Sequence, residues 1–518
     1  MRFKLVLGIL GYLIFLFSLS FLIPIFSGFL LEESPEELFW MFAAPMLFFG
    51  FSGLLLSRIF QSDETLRDRE SFLLVGITWF LIALIGASPY YAAHEMELTG
   101  ENNLTPIRSI FESFSGFTTT GATLLEFSDA NGDGYFDLPK SLLLWRSLSQ
   151  WFGGMGIIVL ATVVLSRLIG GGVQILRAEM PGTDIGKIKP RMVETAKLLW
   201  LIYVFLSLLE TFLLKFIAGL SFYDSICITL STISTGGFCP RIDSIAYYNS
   251  ALVESIITSF MLISGINFVL LYFFFSNLIK NNLSIFEKLR SSVEILRSNG
   301  EFRFYIFFIV TGTFLVFIGR WAPLVDGLDT PHLENIRTTI FQTISLLTGT
   351  GFTTDVYTNW PSSSVFVLLF VMFIGGCAGS TTGGMKIVRI ELLLKALKRE
   401  LFMVIHPRAV VKLRIGGKSL DENLVHNIAV FFFIYISLFL LGALALLYFQ
   451  QDWTLIDGIG ASLACISNVG PGVGAVGPDF NYSGLESPSL IICSLLMWLG
   501  RLEIITGLLL FFPGSYKE

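Results

Sequence analysis

The stretch Phe114-Ser115-Gly116-Phe117-Thr118-Thr119-Thr120-Gly121-Ala122-Thr123 decides the fold, because variants of it return three times. They are Leu230-Ser231-Thr232-Ile233-Ser234-Thr235-Gly236-Gly237-Phe238, Ser345-Leu346-Leu347-Thr348-Gly349-Thr350-Gly351-Phe352 and Ala464-Cys465-Ile466-Ser467-Asn468-Val469-Gly470-Pro471-Gly472. Aligning Gly121, Gly236, Gly351 and Gly470 spaces the copies by 115, 115 and 119 residues, and a fixed period marks a repeat architecture. Each copy is a short amphipathic run of about two to three helical turns, ending in hydroxyl-bearing residues and then glycine. The pattern predicts a half-helix followed by an extended loop. Four such loops around one axis can point backbone carbonyls inward and replace the water shell of a cation. Glycine suits such a loop, since backbone that presents successive carbonyls to one axis visits conformations a side chain forbids. The negative C-terminal ends of the half-helices would point to where the ion waits. The plainer alternative, that each glycine caps a buried helix, does not account for four copies in register. The candidate filter residues are Thr119, Thr120 and Gly121; Ser234, Thr235 and Gly236; Gly349, Thr350 and Gly351; and Asn468, Val469 and Gly470.

Composition sets the solvent around these loops. Of 518 residues, 53% are hydrophobic and 14% charged, with 51 Phe, and the apolar residues run in long blocks. This is the composition of a polytopic helical membrane protein. Windows long enough to cross a bilayer fall near 5–31, 38–60, 71–93, 139–168, 192–218, 249–279, 301–323, 362–399, 424–449 and 486–513. The first is far longer than the apolar core of a signal peptide, and no A-x-A site follows it, so it reads as a retained span. The expected fold is an all-α polytopic membrane protein: four helix–pore loop–helix repeats in pseudo-fourfold arrangement, preceded by two extra transmembrane helices. The units are 1–65 for the leading pair and 66–170, 190–280, 300–400 and 420–518 for the repeats, the third with a broken second helix.

Lys and Arg collect on one side: Arg2 and Lys4; Arg58, Arg67 and Arg69; Arg167 through Lys197; Lys280 through Arg303; Lys386 through Lys418. The positive-inside rule makes that side cytoplasmic, with both termini. The loop side carries Glu95, Glu97, Glu101, Glu126, Asp129, Asp133, Asp137, Asp326, Asp329, Asp355, Asp452, Asp457 and Asp479. An acidic vestibule there would concentrate cations.

Two features lie at membrane depth. The eighth span is interrupted by Gly375-Gly376-Cys377-Ala378-Gly379-Ser380-Thr381-Thr382-Gly383-Gly384. Non-helical backbone at that depth is tolerated only when buried in protein or lining a cavity, so the loop reads as a movable barrier inside the filter; a packing kink is the alternative. Arg501 lies midway along the last span, where an ionisable residue marks a functional position. Glu503 falls on another helical face, which leaves Arg501 the carbonyls of the glycine loop, or else a pore-helix C-terminus or a buried carboxylate such as Glu112 or Glu254. Asp129 to Asp137 has the opening of a calcium loop, but its twelfth position is Lys140 in place of Glu. The five cysteines and the four histidines, His94, His332, His406 and His426, show no disulfide or zinc spacing. No catalytic motif argues for an enzyme.

The four filters, the break Gly375–Gly384 followed by Met385-Lys386-Ile387, and Gly500-Arg501-Leu502-Glu503 resemble the TrkH/KtrB family of bacterial potassium uptake proteins over essentially the whole chain. The two leading helices place the resemblance in its TrkH branch. What the resemblance implies is potassium uptake across the bacterial cytoplasmic membrane, with K+ held at Thr120, Gly121, Thr235, Gly236, Thr350, Gly351, Val469 and Gly470. It also implies a homodimer and a cytoplasmic ring of TrkA-like subunits that alone would bind nucleotide, with no nucleic-acid partner. Gly375–Gly384 would be the gate and Arg501 the electrostatic barrier beside it. Coupling of potassium to protons or sodium is the alternative, for which Glu210 or Glu254 would be needed. The fourth copy departs from the others, with Val469 in place of threonine and Pro471 after the glycine.

Overall fold

A helix needs about 20 apolar residues to cross the roughly 30 Å hydrocarbon layer, and this chain alternates helices that reach that length with helices that do not. The computed structural model describes residues 2–62, 66–128, 132–160, 192–279, 284–321, 332–409, 411, 413–415, 418–419 and 422–511. Two leading helices, α1 (Phe3–Leu30) and α2 (Pro35–Ile59), precede four units. The first unit holds α3 (Glu70–Glu95), α4 (Pro106–Phe117) and α5 (Lys140–Leu160). The second holds α6 (Met192–Phe212), α7 (Phe222–Ile233), α8 (Ala251–Ser264) and α9 (Phe268–Ile279). After α10 (Ile285–Ser298) come α11 (Gly300–Trp321), α12 (His332–Leu347), α13 (Ser362–Ile374) and α14 (Ile387–Ile405). A two-residue antiparallel hairpin, β1 (Arg414–Ile415) with β2 (Lys418–Ser419), leads to α15 (Glu422–Phe449), α16 (Leu455–Ser467), α17 (Ser487–Arg501) and α18 (Ile505–Leu509). Apart from that hairpin the fold is all-α, as expected.

The short helices α4, α7, α12 and α16 have 12, 12, 16 and 13 residues. At about 1.5 Å per residue they are roughly 18–24 Å long and cannot cross the layer. They are longer than the expected two to three turns because they start upstream of the repeated motif, where capping residues wait: the Asp224 amide donates to Ser221 Oγ at 2.9 Å, and Thr454 and Asp457 form a capping box. Polarity is inverted relative to a water-soluble protein. Ser113, Ser115, Thr232, Ser345 and Ser467 are buried, whereas Phe26, Leu30, Phe48 and Phe51 are 67–70% exposed and form part of an apolar outer belt. The leading pair packs backbone to backbone, since a Cβ on Gly11 or Gly53 would stand 2.7 Å from a carbonyl oxygen of the other.

Two spans read as continuous are broken. Residues 249–279 divide at Gly265–Asn267, where α8 and α9 meet at 105°, and 486–513 divides after Arg501, where the chain turns by 114°. At the first break the Asn267 side chain accepts from the Val269 amide at 2.9 Å and so starts α9 in a new direction. At the second, Glu503 and Ile504 take φ of +57° and +52°, conformations disfavoured for residues with a Cβ. The expected break in the third unit is present, from Gly375 to Lys386.

Candidate functional site

The four turns after the short helices share one hydrogen-bond pattern. The amides of Thr119, Thr235, Gly349 and Asn468 bond back three residues at 2.9–3.2 Å. The amides of Thr120, Gly236, Thr350 and Val469 bond back five residues, to Ser115, Ser231, Ser345 and Ala464, at 2.8–3.0 Å. This register equates Thr120 with Gly236, Thr350 and Val469, and Gly121 with Gly237, Gly351 and Gly470. The alignment of Gly121 with Gly236 is therefore off by one in the second copy, and the pair matching Thr120–Gly121 is Gly236–Gly237, not Thr235–Gly236. Two adjacent glycines hid the offset, and equal spacing favoured the wrong one. Backbone dihedrals agree: Gly121, Gly237, Gly351 and Gly470 lie at φ +84°, +81°, +77° and +90°, the left-handed region that glycine enters without penalty.

The turns touch in a closed cycle. A Cβ on Gly121 would lie 2.2 Å from the Gly236 oxygen, one on Gly237 1.8 Å from Thr350 O, one on Gly351 2.1 Å from Val469 O, and one on Gly470 2.5 Å from Thr120 O. Each glycine thus admits the preceding carbonyl of the next turn, and the fourth returns to the first. Val469 removes a hydroxyl and leaves the carbonyl: its amide bond matches those of the other copies. Hydroxyl pairs appear in alternate copies, Thr118 with Thr120 and Thr348 with Thr350, each at 2.8 Å. In the fourth, Ser467 pairs with Tyr435 at 2.8 Å.

Above the ring a mouth is lined by the four glycines together with Phe127, Phe136, Pro471, Pro478 and Tyr482. Its charged lining residues are Arg146 and Arg241, where an acidic vestibule was expected. The carboxylates on this side hold structure instead. Glu112 pairs with Arg146 at 2.9 Å and accepts from Thr123 Oγ1 and the Leu124 amide, and Asp224 pairs with Arg241 at 2.9 Å. Burial disfavours the Arg241 charge, but the bonded Asp224 holds its proton above the usual guanidinium range. Arg146 stacks 4.0 Å from the Phe238 ring, just past the ring glycine. Asp355 accepts from the Trp360 indole and Asp457 caps α16. Asp129, Asp326 and Asp329 lie outside the described residues. So do the first three positions of the calcium-like loop; of the rest, Asp133 accepts from the Tyr135 amide and Asp137 from Ser128.

Below the ring lies the glycine-rich loop. Thr381 Oγ1 donates to the Ile233 carbonyl, the last helical residue of α7, at 3.2 Å, and is bonded at 3.2 Å by Thr235 Oγ1. A Cβ on Gly383 would meet Ser467 O at 2.1 Å. The loop therefore presses against the C-terminal ends of two short helices. Its backbone is tied to the break in the second unit: the Cys377 amide bonds Gly265 O at 3.0 Å, and the Phe268 amide bonds Gly379 O at 3.1 Å. Ser380 Oγ bonds the Cys377 carbonyl and Thr382 Oγ1. Gly375, Gly379 and Gly384 have φ near +75°, while Gly376 and Ala378 sit against Thr382 and Glu301.

Arg501 is 2% exposed and donates to Thr381 O at 2.7 Å and to Gly153 O at 3.2 Å. Of the partners weighed from sequence, the loop carbonyl is the one present; Glu112 is paired with Arg146 and Glu254 with Arg337. Glu503 serves the loop from its far end. It forms ion pairs with Lys386, at 2.6 Å, and with Arg389. The Glu301 carboxylate accepts from the Ala378 amide at 2.5 Å at the near end. The part that Glu301, Lys386 and Arg389 play in holding the loop is not legible in the sequence because their partners lie far away in the chain, although a charge beside a glycine break was a usable signal.

A family model described as TrkH, a cation transport protein, matches residues 38–515. The Trk system potassium uptake protein TrkH of Escherichia coli (strain K12) is 36% identical, with all of both chains covered. The Trk system potassium uptake protein TrkG of the same strain is 33% identical over 97% of this chain and 96% of its own. The crystal structure of the potassium transporter TrkH from Vibrio parahaemolyticus matches with a TM-score of 0.84 at 32% identity, covering 100% of each chain.

Proposed function

Since the chain belongs to the TrkH family of cation transport proteins, we propose that it admits potassium into the bacterial cell, with the cycle of carbonyls at Thr120, Gly236, Thr350 and Val469 as its selectivity filter. The observation that carries this reading is the closed set of contacts among the four glycine turns. Four inward carbonyls offer oxygen ligands in place of hydration water, and the short helices aim their negative ends at the space beneath. Gly375–Gly384 is the gate on this reading, supported by its contacts with the C-terminal ends of α7 and α16, and Arg501 places a positive charge beside it. The Lys- and Arg-rich side is cytoplasmic, with both termini there, in the inner membrane. The chain works as a homodimer under a cytoplasmic TrkA-like ring that carries the nucleotide. The relatives bear the names of transporters, which argues against the enzyme class.

Purified protein in liposomes tests this. Its reversal potential should follow the potassium gradient alone at several values of pH and sodium. A shift with either would favour coupled transport, for which one observation speaks: Glu210 on α6 is fully buried, with neither carboxylate oxygen hydrogen-bonded among the described residues. In passive conduction, Glu210→Gln leaves the reversal potential unchanged.

The gate gives a further prediction. Shortening Gly379–Gly383 removes the bonds to Phe268, Ile233 and Thr235, so flux should rise and depend less on the cytoplasmic partner. A shortened protein that folds, reaches the membrane and conducts no faster than the parent would remove the loop from gating.

A further inference from the structure

One of the four filter turns is held from behind by a side-chain amide. Gln150, on α5 and fully buried, donates from Nε2 to the Gly236 carbonyl oxygen at 2.7 Å and accepts from the Phe238 amide through Oε1 at 3.0 Å. No protein donor reaches the matching carbonyls of Thr120, Thr350 or Val469 among the described residues. Gly236 is also the one member of its ring without a side chain. Its φ lies outside the left-handed region, so backbone conformation does not demand glycine. A Cβ there would stand 2.4 Å from the Gln150 carboxamide carbon. Gly236 is glycine because Gln150 occupies the space its side chain would need.

The neighbouring inner helices set this pair apart. Gly153 and Gly500 each lie under the end of their own unit's short helix, a Cβ at either being 2.2 Å from the carbonyl of Phe117 or Ile466. The carbonyls of Trp151 and Leu262 each accept a tyrosine hydroxyl, from Tyr203 at 3.0 Å and Tyr305 at 3.1 Å. This register sets Gln150 level with Met261 and Met497, both buried. Where the second and fourth units have a buried methionine at this level, the first has an amide.

We propose that Gln150 is a positioning residue for ion selection, which rests on the reading of the ring as the filter. A smaller cation needs its ligands closer in. Three carbonyls can follow it, but the fourth must stretch or break a buried hydrogen bond. Gln150 thereby sets a lower limit on the ring's size and disfavours sodium. A structural role alone would change the amount of folded protein and leave the preference between ions untouched.

The test is a variant cycle in liposomes, with potassium and sodium permeabilities read on the same preparation. Gln150→Met installs the residue found at the matching positions. The potassium-to-sodium permeability ratio should fall about three- to tenfold, the factor carried by one buried hydrogen bond. Gly236→Ala should give the same fall by pushing the carboxamide off the carbonyl, and the double variant should fall no further. Gln150→Leu, which removes the donor and the acceptor without adding a charge, should behave as Gln150→Met does. Should Gln150→Met fail to fold, the Gly236→Ala and Gln150→Leu variants carry the test. An unchanged ratio, or additive losses in the double variant, would overturn the proposal. If Gly237→Ser lowers the ratio while the Gln150 variants do not, this inference fails and the filter stands; if neither does, the filter reading itself fails.

Discussion

Arg501→Ala should raise potassium flux about 30-fold to 150-fold. The guanidinium is buried and bonded to the carbonyl of Thr381, whose hydroxyl contacts the second filter turn through Thr235. If the proposed ring is the ion path, a cation leaving it passes this positive charge, and the repulsion is reckoned for a separation of about 6–8 Å. With an effective dielectric near 20 the repulsion is on the order of 2–3 kcal/mol, and each 1.4 kcal/mol or so is a factor of ten in rate. Packing acts in the same direction. No carboxylate hydrogen-bonds Arg501 among the described residues, because Glu503 is engaged by Lys386 and Arg389. Its loss leaves the Thr381 carbonyl without that donor, while Gly153 lies within α5, so no buried charge is stranded and the freed loop moves more easily. Arg501→Lys keeps the charge but loses the planar fork that reaches both carbonyls, so flux should stay close to that of the parent. Single-channel or liposome flux, normalised to folded protein, separates these outcomes. A well-folded alanine variant that conducts more slowly would remove Arg501 from the barrier.

The sequence showed the features that repeat and concealed those that depend on contact between distant segments. Four copies of one motif disclosed the units, and five glycines in ten residues disclosed the break after Ile374. Composition could not reveal the breaks at Gly265 and after Arg501, each within a run apolar enough to read as one span. The second depends on Glu503 and Ile504 in the left-handed region, a strain of about 1–2 kcal/mol per residue that local propensity argues against. The ion pairs of Glu503 with α14 and the residue before it offset that strain, and they join positions more than a hundred residues apart. The acidic vestibule failed for a related reason. Counting carboxylates on one side gave the net sign of the surface, whereas the charged residues lining the mouth are two arginines, Arg146 and Arg241, paired with Glu112 and Asp224.

The register of the second copy leads to the other large effect. Serine at Gly121, Gly237, Gly351 or Gly470 should lower the potassium-to-sodium permeability ratio at least tenfold, because each substitution carries two costs together. The left-handed backbone costs a residue with a side chain about 1–2 kcal/mol. The new Cβ would also lie 1.8–2.5 Å from a filter carbonyl, well inside contact distance, so that oxygen must turn out of the ring. The clearances rank the positions: Gly237 is tightest at 1.8 Å, then Gly351 at 2.1 Å, Gly121 at 2.2 Å and Gly470 at 2.5 Å. The loss should follow that order. Alanine at Gly236 is the comparison within the same turn, for it meets the Gln150 side chain rather than a filter carbonyl and has an ordinary backbone conformation, and its effect should be several times smaller than that of serine at Gly237. Rubidium uptake with sodium as competitor, measured on all five variants, reads the order directly. If Gly236 proves the more sensitive of the two neighbours, the even spacing of 115 residues is the true register and the ring passes through Thr235 and Gly236 after all.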